Sequence, residues 1–202
     1  MDKHDVHKGA LLVVLRITLV VLGLQLLVAV TSKSLMMWSD TFHLFIHVIA
    51  CIVAYTSEFK FLGFPPGKIK KYTALTNIGL FFVTGAVIFN EALGRLFSPP
   101  ELNINLFYFI IAGFGFVANV YTTNLLDKIE GHDECSSNIK PLRWCMIVDA
   151  ISSGVVIFGA IAITLTKQFV LDPMLSFVLV VFMVWKGYRM ARDTIRGHAH
   201  TH

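Results

Sequence analysis

The chain has 202 residues, of which 55% are hydrophobic and only 15% charged, with a formal net charge of +4. That is too apolar for an ordinary soluble domain. The positive charge comes from where basic residues sit between apolar runs, so it does not indicate nucleic acid, and no nucleophile–base pair or cofactor motif indicates an enzyme or a catalytic cofactor.

In chain order, six windows of mostly apolar residues fall near 10–30, 35–56, 73–95, 104–126, 143–166 and 169–190. Each is long enough to cross about 30 Å of hydrocarbon. They predict an all-α, multi-pass integral membrane protein with six transmembrane helices, set in a lipid bilayer of the plasma, inner or an organelle membrane. The first window is too long for a cleaved signal peptide and no small-residue cleavage site ends it. The expected organisation is a six-helix membrane domain over residues 1–196 and a short histidine-containing tail over 197–202, with no soluble C-terminal domain.

Basic residues orient the chain. Lys3, Lys8, Lys60, Lys68, Lys70, Lys71, Lys128, Lys140, Arg143, Lys186, Arg189, Arg192 and Arg196 are assigned to one side, and only Lys33, Arg95 and Lys167 to the other, with Arg16 inside helix 1. By the positive-inside rule both termini face the cytoplasm. Turn chemistry punctuates the windows: Gly63 to Gly67 breaks the chain after helix 2, Ser98-Pro99-Pro100 ends helix 3, and Asp172-Pro173 opens helix 6, where proline in a first turn costs little. The short connection between helices 3 and 4 predicts antiparallel neighbours. Of three cysteines, Cys51 reads as apolar filler and Cys135 lies in a reducing cytoplasmic loop, so no disulfide framework is expected.

Two spaced pairs carry the chemistry: His43 with His47, and Cys145 with Asp149. Residues four apart share one helix face. Imidazole, thiolate and carboxylate are donors of a tetrahedral transition-metal site, and ionisable groups at membrane depth mark ion paths or proton relays. Two neutral imidazoles, one thiolate and one carboxylate sum to −2, which balances a divalent cation. Heme fits poorly, because both histidines lie on a single helix face and no other helix core supplies one. Outside the helices, His132, Asp133, Glu134 and Cys135 form a weak cytoplasmic metal-collecting loop, and His198, His200 and His202, with His4, Asp5 and His7, are further weak candidates.

These residues sit in segments that resemble the cation diffusion facilitator family of divalent-metal transporters. The run from Ser34 through Asp40 and His43 to His47 is similar to that family's second helix, and Asp149-Ala-Ile-Ser-Ser153 to its fifth. Asn77, Glu91, Arg95 and Pro99-Pro100 match its third helix and exit, Asn119 its fourth helix, and Asp172-Pro173 the start of its sixth. The resemblance covers nearly the whole chain. It implies a metal bound midway through the membrane by two residues of helix 2 and two of helix 5, proton antiport by alternating access, and dimerisation. It also suggests Asp40, Asn77, Asn119 and Ser153 as gate or supporting residues. Glu91 and Arg95 read as a helix-surface pair.

The chain departs from the family pattern in three ways: His47 stands where most members have Asp, Cys145 where the family usually has His, and the usual C-terminal cytoplasmic domain is expected to be missing. The His-x-x-x-His form also occurs in a branch associated with cobalt and nickel beside zinc, and the thiol either softens the site toward zinc, cadmium or even copper(I) or records decay of an inactive member. The expected function is proton-coupled efflux of a divalent cation, zinc first, with cobalt, nickel or cadmium as alternatives. The other reading is a non-transporting regulatory partner that pairs with a full-length relative.

Overall fold

The structure, a computed structural model, describes residues 3–58, 66–130 and 139–199; side chains bordering the two internal gaps, Cys51 and Cys145 among them, are outside that description. Six helices follow in order: α1 (Lys3–Ser32), α2 (Leu35–Glu58), α3 (Pro66–Phe97), α4 (Leu106–Glu130), α5 (Ile139–Thr166) and α6 (Leu171–Ala199). Each apolar window becomes one helix, and most helices run past their window. Helical hydrogen bonding satisfies every backbone group within the segment, which is what hydrocarbon demands. Among the described residues, Leu12–Ser32, Leu75–Phe97, Leu106–Leu125, Asp149–Thr166 and Leu171–Arg192 are long and apolar enough to cross a membrane. Large side chains such as Val20, Val83, Val117, Phe158 and Val181 point outward, as a lipid-facing surface requires. The chain is an integral, multi-pass membrane protein.

Helix α2 is the hub. It packs against α1, α3, α5 and α6, so its polar side chains face other helices rather than lipid. The remaining large contacts join α3 to α6 and α4 to both α5 and α1. The sequence had predicted α3 and α4 as neighbours, and the described residues correct this, since those two helices do not touch. The reason lies in the connector, residues 98–105, which is non-helical. Eight residues at about 3.3 Å each reach roughly 26 Å, enough to pass over an intervening helix. The connector is pinned on its way, with Asn103 N–H donating to the Ser32 carbonyl at 3.1 Å.

The turn into α2 is built from four elements. Lys33, just past the end of α1, lies in the left-handed region (φ 60°), and its carbonyl accepts from Arg95 Nη1 at 2.6 Å. Ser34 caps α2 by accepting from Met37 N–H at 3.3 Å. The Asp172 carboxylate, contributed by α6, accepts from Ser34 Oγ at 2.7 Å, Leu35 N–H at 2.7 Å and Met36 N–H at 3.2 Å. A carboxylate at a helix N-terminus satisfies otherwise orphaned donors and meets the positive end of the helix dipole. Arg95 lies 3.9 Å from Asp172 while also holding Glu91 at 2.9 Å. The Glu91–Arg95 pair is therefore more than the surface pair the spacing suggested: through Arg95 it ties α3 to the α1–α2 turn.

A core of Val28, Ala29, Met36, Met37, Tyr108, Ala112, Val156, Ala160 and Ile163 seals this end of the bundle. One further turn along α2, the packing becomes polar.

Candidate metal centre

Asp40, His43 and His47 follow one another on the buried face of α2, at the three- and four-residue spacing that aligns side chains on a helix. Asp149 opens the described part of the α5 face opposite them. His43 Nε2 and His47 Nε2 lie 3.2 and 3.1 Å from Asp149 Oδ1, and the three donor atoms all fall within 4.8 Å of one another. Metal–donor bonds of about 2.0–2.1 Å in a tetrahedron separate the donors by roughly 3.3 Å. The two His–Asp separations are already close to that spacing.

A cation stands at the focus of these atoms. Lys186 Nζ, from α6, donates to His47 Nε2 at 2.7 Å, His43 Nε2 at 2.9 Å and Asp149 Oδ1 at 3.3 Å. An ammonium has three N–H donors and no acceptor, so both Nε2 atoms accept. The imidazoles and the carboxylate thus turn lone pairs toward one point. Acceptors converging in a buried space are stable only around positive charge. Phe81 on α3 closes the side, with its ring centroid 5.5 Å from Nζ and edge-on to His43. Asp149 Oδ2 and His47 Nδ1 are buried without a hydrogen-bond partner, so the seat holds unused donor and acceptor capacity.

The family described as Cation efflux transmembrane domain matches residues 11–197. The chain belongs to that family. Among curated relatives, it is 25% identical over 198 residues to zinc transporter ZitB of Yersinia pseudotuberculosis serotype I (strain IP32953) and equally to zinc transporter ZitB of Yersinia pestis. Each match covers 95% of this chain and 62% of the relative, so the chain spans less than two thirds of the length of these relatives.

The structure of this family member brings together three of the four expected ligands. Cys145 lies on α5 one turn before Asp149, but its side chain is outside the described residues, as are His132, Asp133, Glu134 and Cys135. Asp40 sits one turn from His43 in a separate nest. Its Oδ1 accepts from Ser152 Oγ at 2.6 Å, and its Oδ2 accepts from Gln25 Nε2 at 2.9 Å and Ser153 Oγ at 3.1 Å. Asn119 Nδ2 donates to Ser153 Oγ at 3.4 Å, which links α4 to the same nest. Asn77 is buried on α3 with its Oδ1 unpaired.

Sequence reasoning missed Lys186, Gln25 and Ser152. The charge count places Lys186 with the basic residues of the cytoplasmic side, and the structure corrects this: it is 7% exposed and inside the bundle. The signal was present. Asp172, Ser176, Leu179, Met183 and Lys186 follow at three- and four-residue steps and are all buried, so the helix period carries the lysine inward. Gln25 continues a similar buried stripe on α1 through Val14, Thr18 and Val21.

Proposed function

We propose that this chain carries a divalent metal cation, zinc first, out of the cytoplasm by alternating access, with protons replacing the metal on the return. The observation that carries this reading is the convergence of His43 Nε2, His47 Nε2 and Asp149 Oδ1 at near-tetrahedral separations around one buried point. Cys145, one helical turn from Asp149, supplies the fourth donor. Imidazole and thiol bind metal only when deprotonated, so protons and metal compete for the same atoms, which is the chemistry of an antiporter. Zinc accepts this mixed nitrogen, oxygen and sulfur set, and the name zinc transporter carried by the Yersinia relatives agrees with it. Cobalt, nickel and cadmium fit the same donors. The basic imbalance between the two loop sides supports cytoplasmic termini and export, even with Lys186 removed from the count.

Asp40, Ser153 and Asn119 support the ligand helices and gate the path between the seat and the sealed end of the bundle. The functional form is a dimer, either of this chain or with a related transporter. The test is zinc uptake into proteoliposomes under an imposed proton gradient. His43→Ala and Asp149→Ala should each abolish uptake while the protein still reconstitutes. Uptake by both variants at the wild-type rate would refute the site.

A second reading, a non-transporting partner of a longer relative, is favoured by one observation: the seat is already filled by a cation of the chain's own. Wild-type protein that neither binds nor moves metal, yet co-purifies with a longer family member, would establish this reading instead.

A further inference from the structure

Among the described residues, groups from three other helices surround Lys186: His43 and His47 from α2, Asp149 from α5 and Phe81 from α3. His43, His47 and Asp149 each accept from this ammonium, a group with three N–H donors. The placement depends on a close approach of α6 to α3. Gly187 lies where an added Cβ would come within 3.2 Å of Phe81 Cβ, so a larger residue beside Lys186 would require the α3–α6 contact to give by a few tenths of an ångström. The lysine is thus seated by its own helix packing.

A metal ion bonded to the same Nε2 and Oδ1 atoms would lie within the shell that Nζ now occupies, because donor–metal distances are shorter than the observed donor–Nζ distances. Two positive charges cannot share that space in a low-dielectric interior. We propose that Lys186 is a tethered competitor for the metal seat: its ammonium fills the seat whenever no ion is bound, and an incoming divalent cation loads only by displacing it. This rests on the proposed function, since it takes His43, His47 and Asp149 as the ligands.

The arrangement solves a problem of the empty carrier. Without an ion, Asp149 would be an uncompensated buried carboxylate facing two imidazole lone pairs, a costly state for a protein that must change conformation between loads. The lysine supplies the missing charge from within the chain. When metal arrives, the four-carbon stem lets the ammonium swing away from the seat, while the helix itself stays in place. The lysine also sets a threshold: a cation must bind strongly enough to outcompete an ammonium already hydrogen-bonded to His43, His47 and Asp149. Weakly held ions with little affinity for imidazole would fail that test.

Cobalt(II) is the probe, because its ligand-field absorption reports tetrahedral binding directly. Titrate the detergent-purified full chain, comparing wild type with Lys186→Met, which keeps the stem and removes the charge. The expected result is at least tenfold tighter cobalt binding in Lys186→Met with the same tetrahedral signature, a gain that disappears when His43→Ala is added. Lys186→Gln, which keeps a donor but no charge, should show a gain of the same sign and provides the comparison if the methionine variant does not fold. Unchanged or weaker binding in a folded Lys186→Met or Lys186→Gln overturns the competitor role while leaving the ligands intact. So does a gain that survives His43→Ala. Wild-type binding that ignores both His43→Ala and His47→Ala, or no binding by any form, instead overturns the ligand assignment on which the proposal stands.

Discussion

Two buried aspartates, Asp40 on α2 and Asp149 on α5, meet opposite fates in this bundle. Asp40 reaches from α2 to hydroxyls on α5 and an amide on α1, while Asp149 reaches from α5 to imidazoles on α2 and an ammonium on α6. Every partner of Asp40 is a neutral donor, and both of its oxygens are used. Around Asp149 the neighbours are a cation and two groups that also present lone pairs, and its Oδ2 is left without a partner. A carboxylate saturated by neutral donors gains nothing from an added ion and acts as a strut. A carboxylate among other acceptors needs a cation, and which cation it holds can change. The proposed metal seat is distinguished from its neighbour by this difference in partners, not by residue type.

The largest effect should come from Asp149→Asn. It removes the only carboxylate at the seat among the described residues and strands the Lys186 ammonium. Breaking a buried ion pair from one side typically costs about 3–5 kcal/mol, so thermal unfolding in detergent should show a marked loss of stability, and cobalt binding should fall at least about a hundredfold. Adding Lys186→Met should restore much of the stability without restoring metal affinity. If the double variant stays as unstable as the single, the pair is not what holds this part of the bundle.

Asp40→Asn should act the other way round. The amide can still accept from Ser152, but its nitrogen faces the Gln25 nitrogen and one buried donor is stranded, at about 1–3 kcal/mol. Cobalt affinity should stay within about threefold of wild type, while zinc uptake in proteoliposomes slows as α1, α2 and α5 lose their common anchor. An Asp40→Asn chain that no longer binds cobalt would merge the two regions into one site and end the contrast.

How legible these regions were differs for a physical reason. The helices and the His43–His47 and Cys145–Asp149 spacings are local properties of the chain, set by apolar run length and helix period, so they could be read directly. Asp40 could be placed on the ligand face by its spacing from His43. Its partners could not be named, because Gln25 and Ser152 become neighbours only when α1 and α5 pack on α2. Lys186 was misplaced because a lysine near the end of an apolar window looks like a loop charge. Only the buried stripe from Asp172 to Met183 shows that it turns inward. The α3–α4 adjacency failed for a related reason: the length of a connector limits how far apart two helices can be but does not require them to touch.

The finest test of the contrast lies on α4, away from either carboxylate. At Gly115 an added Cβ would stand 2.7 Å from Gln25 Nε2 and 3.5 Å from Val21 Cγ1. Gly115→Ala must therefore move the Gln25 amide, whose nitrogen holds Asp40 Oδ2 at 2.9 Å. Gln25 Oε1 has no partner, so the side chain can shift without breaking a second bond, and overpacking of this kind costs about 1 kcal/mol or a little more. The seat should bind cobalt as before, since Gln25 is not among the groups that hold Lys186 in the described contacts. In an Asp40→Asn background the same methyl should cost less, because the hydrogen bond it strains is already spoiled. A double-mutant cycle measures that coupling. Full additivity of Gly115→Ala and Asp40→Asn would mean that the methyl acts through helix packing alone, and that α1 braces Asp40 less than the geometry implies.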